Sequence, residues 1–174
     1  MATTVRNGTH IASTRIALSE ETRERIGDIL NVSLATAIDL KTQLKHAHWN
    51  VTGLEFLQVH ELFDRIATDV EAYVDLIAER ATTLGVIAMG TARIAAGRSS
   101  LPEFPIHAHG VKAYLEAVAE RVGGFANEVR ENIKRSAELG DDTTADLYTE
   151  VSRGVEKHLW FVEAHLRSRE GLAK

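Results

Sequence analysis

The chain has 174 residues, 44% hydrophobic and 26% charged, with a formal net charge of -5. That is ordinary for one soluble globular domain with a sizeable core, and the negative charge argues against a surface made broadly for nucleic acid. There is no cysteine, which excludes disulfides, thiolate metal sites and cysteine nucleophiles. No early segment joins a basic start to a long apolar run, and no stretch is apolar enough to span a bilayer, so neither a signal peptide nor a membrane anchor is expected and the cytoplasm is the expected compartment.

Residues 1–18 contain Arg6 and Arg15 and no acid, and they read as a flexible N-terminal arm. Ser19 followed by Glu20 and Glu21 is a helix start: a hydroxyl cap, then acids at the positive helix end. The first helix runs to about Trp49, with Ile26, Leu30, Ala37, Leu40, Leu44 and Ala47 at core spacing. Asn50 to Gly53 break it. A second helix follows from about Glu55 to Leu84, with an apolar stripe of Val59, Phe63, Ile66, Val70, Tyr73 and Ile77.

Residues 85–109 hold Gly85, Gly90, Gly97, Pro102 and Pro105, and read as a crossover with a short helix around Thr91 to Gly97. A third long helix covers about Gly110 to Leu139, weakened at Gly123 and Gly124. Gly140 stops it, Asp142 or Thr143 caps the last helix, and that helix runs to about Arg169, leaving residues 170–174 as a tail. The expected architecture is all-α: a four-helix bundle over residues 19–169 with one long middle connection.

Five side chains of metal-ligand type stand out: His48, His60, Asp64, Asp75 and Glu79. Imidazole with carboxylate suits iron and other first-row metals. His60 with Asp64, and Asp75 with Glu79, are i,i+4 pairs, so the members of each pair are neighbours on the helix surface. At ~100° per residue the four span an arc of about 100°, roughly 150° from the centre of the apolar stripe. Ala67, Thr68, Glu71 and Ala78 lie between and beside them, and most are small, which permits close approach of another helix. Asp64 and Asp75 are separated by about 16 Å at ~1.5 Å per residue, too far for one ion. An antiparallel second copy of the helix, related by a two-fold axis near Asp69 and Val70, would set His60 and Asp64 of one chain against Asp75 and Glu79 of the other. The simpler account of acids and histidines on an outer helix face is that they are solvated; two pairs sharing one face say more than either alone.

Lys45-His46-Ala47-His48-Trp49-Asn50-Val51-Thr52-Gly53, then Phe56, His60-Glu61-Leu62-Phe63-Asp64, Asp75 and Ala78-Glu79-Arg80 together resemble the Dps family of ferritin-like mini-ferritins, named for DNA binding in starved cells. The likeness continues through Asp141 to Asp146 and Lys157-His158-Leu159-Trp160-Phe161. The resemblance implies a hollow dodecamer with a ferroxidase centre at each two-fold interface: His48, His60 and Asp64 from one subunit, Asp75 and Glu79 from its mate. It implies oxidation of Fe(II), preferably by hydrogen peroxide, and storage of Fe(III) mineral inside the shell, with zinc as an inhibitor or substitute. By the same resemblance Trp49 and Trp160 lie near the site, and Asp141, Asp142 and Asp146, with Glu150, line an entry pore. Asp141 and Asp142 are equally readable as cap and turn residues. A nucleoid-binding shell with inactive or zinc-filled sites is the alternative function.

Other features carry less. His46 is two positions from His48 and points to the other side of a regular helix. His158 and His165 are seven apart and read as packing or surface groups, and His107 and His109 follow Pro105 in a loop. His60-Glu61 opens like the zinc-protease motif, but Asp64 replaces its second histidine, and Glu-x-x-His, P-loop and dinucleotide fingerprints are missing. The N-terminal arm has no lysine, and the C-terminal end offers Arg167, Arg169 and Lys174 against Glu170, so DNA binding is expected to be weak or absent.

Overall fold

The chain forms α1 (Glu20–Asn50), α2 (Phe56–Thr83), α3 (Ala92–Arg98), α4 (Gly110–Glu138) and α5 (Asp142–Gly171). This computed structural model describes residues 11–171, with side chains through Arg167, and no strand occurs among the described residues. α1 starts where the cap signal puts it: Ser19 Oγ accepts the Thr22 N–H at 3.0 Å, and Glu20 and Glu21 fill the first turn. Gly123 and Gly124 do not interrupt α4.

Two helices end the same way. In α2 the Gly85 N–H reaches the Thr82 carbonyl and the Val86 N–H reaches that of Ala81; in α4 Gly140 and Asp141 repeat the pattern onto Ala137 and Ser136. This paired closure needs a left-handed residue just past the helix, and Gly85 (φ 81°) and Gly140 (φ 79°) supply it. Asp141 therefore finishes α4 and starts α5. Its carboxylate accepts the Thr144 N–H at 3.1 Å, so the cap of α5 is Asp141 and not Asp142 or Thr143, because the tight two-residue turn brings it into register first.

Side-chain bridges fix the layout. Lys41 meets Glu71 and Lys45 meets Asp64, so α1 and α2 are antiparallel. Gln43 meets Arg121 and Ser33 meets Glu128, so α1 and α4 are antiparallel as well. Asp69 meets His158 and Arg80 meets Asp141, which sets α2 against α5 in the same sense. α2 and α4 consequently point the same way, and the chain must travel back along the bundle between them. Residues 84–109 do this, carrying α3. The result is the four-helix bundle with a long crossover that the apolar periodicity predicts.

The core runs the length of the bundle through Ile26, Leu30, Leu40, Phe63, Ile77, Leu115, Phe125 and Val155, all essentially buried. Burial of side chains of this size contributes about 1.5–3 kcal/mol each. α2 and α5 also approach where Gly154 has no side chain: a Cβ there would collide with the Tyr73 hydroxyl. Several polar groups inside the bundle are partnered through Ser33, while the buried Ser136 hydroxyl has no hydrogen-bond partner among the described residues. The Ser33 hydroxyl donates to Glu128 at 2.8 Å and accepts from Asn132 and Tyr148 at 2.9 and 3.1 Å. Burial pushes the Tyr148 phenol well above its ordinary range.

Three expectations need adjustment. Ala67, at the edge of the ligand arc on the Phe63 side of α2, is buried in the core and offers no outward surface. Packing on the core extends into the expected arm, N-terminal of Ser19. Ala12 N–H bonds to the Gly85 carbonyl at 2.9 Å, Arg23 Nη1 reaches the carbonyls of Ala12 and Leu84, and Ile11, Ile16 and Leu18 pack on the core. The rest of the expected arm, with Arg6, lies outside the described residues. At the other end α5 continues to Gly171, past the expected boundary, and the rest of the expected tail lies outside the described residues.

Asp141 sits in a closed network. Arg80 Nη2 reaches both carboxylate oxygens at 2.7 and 2.9 Å, and Arg80 Nε and Asp141 share the Thr144 hydroxyl. Burial pushes the Asp141 carboxyl up, but the bonds from Thr144 and Arg80 outweigh it and hold the group below the ordinary 3.8. Asp141→Ala leaves a buried guanidinium unpaired and is expected to cost about 3 kcal/mol in chemical denaturation at pH 7. A depressed acid stabilises the fold above its unfolded pKa and loses that contribution below it, so the gap between wild type and variant should be constant from neutral pH down to about 5 and shrink as pH falls below 3.8.

Candidate metal centre

The α1–α2 corner is built by a turn in which Val51 is buried and Gly53 and Glu55 receive the first N–H groups of α2. The turn brings the end of α1 beside the start of α2. There His48 and His60 bind one another crosswise: each ring's Nδ1 lies 2.8 Å from the other residue's backbone carbonyl oxygen. A carbonyl only accepts, so each Nδ1 carries the proton and each Nε2 keeps a free lone pair. The rings stack with centroids 3.7 Å apart and planes 22° apart, and Phe56 supports His60 at 4.9 Å. A backbone carbonyl on the distal ring nitrogen is the usual way a metal-binding histidine is oriented.

Asp64 lies one turn along α2 from His60, and Lys45 Nζ holds it at 2.5 Å. The hydrogen bond from Lys45 lowers the Asp64 carboxyl below its ordinary value; partial burial opposes this, and the charge of Lys45 and the nearby His48 and His60 add to it. Lys45 also stands 6.0 Å over the Trp49 ring, which gives the ammonium a second resting place when it leaves the acid. One turn further, Lys41 neutralises Glu71 at 2.6 Å. The spacing of Lys41, Lys45 and His48 along one face of α1 signals this ladder, and sequence reasoning assigned no role to either lysine.

Asp75 and Glu79 follow on the same face of α2. Both are exposed, and no side-chain partner for either occurs among the described residues. The protomer thus gathers His48, His60 and Asp64 at one corner and leaves Asp75 and Glu79 far down the rod. Among the described residues no group of three or more histidine and acidic side chains is close enough to hold an ion within one protomer.

The remaining expected residues sort clearly. Trp49 is largely exposed beside Lys45, and Trp160 is exposed and packs on Phe161 with ring centroids 5.0 Å apart. Asp141 is 2% exposed, and its carboxylate is held by Arg80 and Thr144; Asp142 and Asp146 are exposed at the start of α5. His46 packs on Phe104, His107 and His109 are exposed, and His158 is buried with Nε2 2.8 Å from Asp69. Burial lowers the His158 pKa, and Asp69 works against that. Of the C-terminal basic residues Arg167 pairs with Glu163, while the side chains of Arg169, Glu170 and Lys174 lie outside the described residues.

A sequence profile for the ferritin-like domain matches residues 27–171. The DNA protection during starvation protein of Agrobacterium fabrum is 40% identical over 156 residues, 90% of this chain and 96% of that one. The chain belongs to the Dps family of ferritin-like proteins. Another Dps relative, the DNA protection during starvation protein of Mycolicibacterium smegmatis, is 34% identical over 154 residues, 88% of this chain and 84% of that one. Among solved structures, DpsC from Streptomyces coelicolor superposes with a TM-score of 0.86 at 33% identity, covering 94% of this chain and 95% of that one. A Mycobacterium smegmatis Dps gives 0.85 at 34%, covering 89% and 94%. No helix among the described residues is long and apolar enough to cross a membrane.

Lys45 competes with any cation for Asp64. Lys45→Ala is therefore expected to tighten Co(II) binding several-fold, read from visible absorption in a titration at neutral pH, while Lys41→Ala, one turn away, leaves the affinity nearly unchanged.

Proposed function

We propose that this Dps protein is a ferroxidase and iron store: it oxidises Fe(II), preferably with hydrogen peroxide, and keeps the Fe(III) product as mineral inside a dodecameric shell in the bacterial cytoplasm. The observation that carries this reading is the crosswise His48–His60 pair, which leaves two lone pairs of fixed direction beside Asp64. Imidazole with carboxylate is a donor set suited to Fe(II). In this reading the missing acids, Asp75 and Glu79, come from a second copy across a two-fold axis, because one rigid helix cannot fold back on its own ligands. Asp142 and Asp146 serve as part of the cation entry route, acting through their negative field.

Iron is the substrate. Two Fe(II) each give one electron to one hydrogen peroxide, the O–O bond breaks, and with two protons the peroxide leaves as two waters. Taking both electrons at one place releases no hydroxyl radical. The chain's own residues fix the imidazoles by their Nδ1 bonds, supply anionic oxygens, and withdraw the Lys45 ammonium toward Trp49 as the cation arrives. The relatives' name, DNA protection during starvation protein, favours a second reading in which the protein acts on DNA; inactive or zinc-filled sites would go with that reading.

A mixing experiment tests the shared site. A chain carrying His60→Ala and Asp64→Ala is co-assembled with one carrying Asp75→Ala and Glu79→Ala. Each alone should lose peroxide-driven Fe(II) oxidation almost completely. A random mixture regains one intact centre in every hybrid pair, so about a quarter of the wild-type rate should return. No recovery in a mixture shown by mass spectrometry to contain hybrid shells rejects the shared site; full activity of either parent rejects the ligand assignment.

A further inference from the structure

The crossover contains a contact that the metal-site reading does not use. Met89 lies just before α3, and its sulfur accepts a long contact from Arg98 Nη1, at the end of α3, at 3.8 Å. The chain has two methionines, Met1 and Met89, and no cysteine, so the Met89 thioether is the one sulfur among the described residues. Its backbone is held independently: the Met89 N–H bonds to Asn31 Oδ1 at 2.8 Å, and Asn31 Nδ2 bonds to the Ile87 carbonyl at 3.0 Å. The side chain is half-buried and outside the core. α3 itself is lightly held, with Ala95 as its one buried residue.

We propose that Met89 is a peroxide-oxidation site whose sulfoxide is received by Arg98, so that the modification firms the crossover. Methionine oxidation ordinarily loosens a protein, because it puts a polar group into an apolar core. Here the geometry reverses the sign. A thioether is a weak acceptor, and 3.8 Å is a loose contact even for sulfur. An S–O bond is ~1.5 Å long, so an oxygen set about 40° off the line from sulfur to Nη1 comes within the ordinary N–H···O range of ~2.7–3.2 Å. The new bond joins a cation to a strongly polar oxygen, in the class that outlasts neutral pairs. In the step the sulfur lone pair attacks one oxygen of hydrogen peroxide, the S–O bond forms and the O–O bond breaks. The sulfur gives up two electrons, the proton on the oxygen it gains passes to the departing hydroxide, and that second oxygen leaves as water. Because Asn31 holds the Met89 backbone, the side chain changes without releasing the chain.

The test uses the full-length protein, stripped of metal with a chelator so that iron takes no part, and treated with hydrogen peroxide. Peptide mass spectrometry should find one added oxygen on Met89. Amide hydrogen exchange across residues 92–98 should slow several-fold in the oxidised wild type, return to the starting rate after enzymatic reduction of the sulfoxide, and show no slowing on oxidation of Arg98→Gln. Met89→Leu treated in parallel should not respond. Met89 that stays unmodified, exchange that is unchanged or faster after oxidation, or equal slowing in Arg98→Gln each overturns the proposal.

Discussion

The crosswise hydrogen bonds between His48 and His60 are the constraint around which the functional end of this Dps protein is organised. Each ring uses one nitrogen to satisfy a carbonyl of the neighbouring helix and is left with one outward-facing lone pair. The same two bonds close the corner between α1 and α2, where a regular ladder of helix bonds is interrupted. Local folding and ligand orientation are thus a single event. The position of His60 on α2 then dictates where Asp64, Asp75 and Glu79 stand, because a helix is rigid and its rise is fixed.

The rest of the bundle keeps α2 in place. On one side, Lys41 and Lys45 of α1 meet Glu71 and Asp64; on the other, His158 and Asp141 of α5 meet Asp69 and Arg80. These contacts do little for stability where they are exposed, but they set which turn faces which. The buried polar group around Ser33 does the same between α1, α4 and α5, since every donor there has one acceptor within reach and a shift by one turn leaves several unpaired. Arg121 extends the scheme to the crossover by donating to the Glu103 carbonyl at 2.6 Å beneath the Phe104 ring.

Most of the fold was readable from the sequence, because apolar spacing, the Ser19 cap and the glycines at positions 85 and 140 are local signals with local causes. The helix boundaries differ from the expected ones by a residue or two, which is the scale on which caps compete. What could not be read was long-range pairing. Ala67 falls near the edge of the ligand arc on a helical wheel, and only the tilt of α2 against its neighbours decides that it is buried. Nothing near Asp141 announces that Arg80, far away in sequence, will claim both of its oxygens. Four of the candidate ligands were legible as a stripe on α2, while the pairing of Lys45 with Asp64 was not, because a lysine four residues from another on a helix face is commonplace. The seating of Ile11 to Leu18 depends on the Ala12 N–H bond to the Gly85 carbonyl and on Arg23 reaching the Ala12 carbonyl, and polar, small-residue composition is silent about such ties.

The missing side chain at Gly154 sets a depth gauge for the whole wall. Tyr73 rests its hydroxyl in that notch, one turn from the Asp69–His158 pair, and these residues lie on the opposite side of α2 from His60 and Asp64. A methyl group at position 154 would take the space of the Tyr73 hydroxyl, so the fit of that ring between α2 and α5 is set by an atom that is not there.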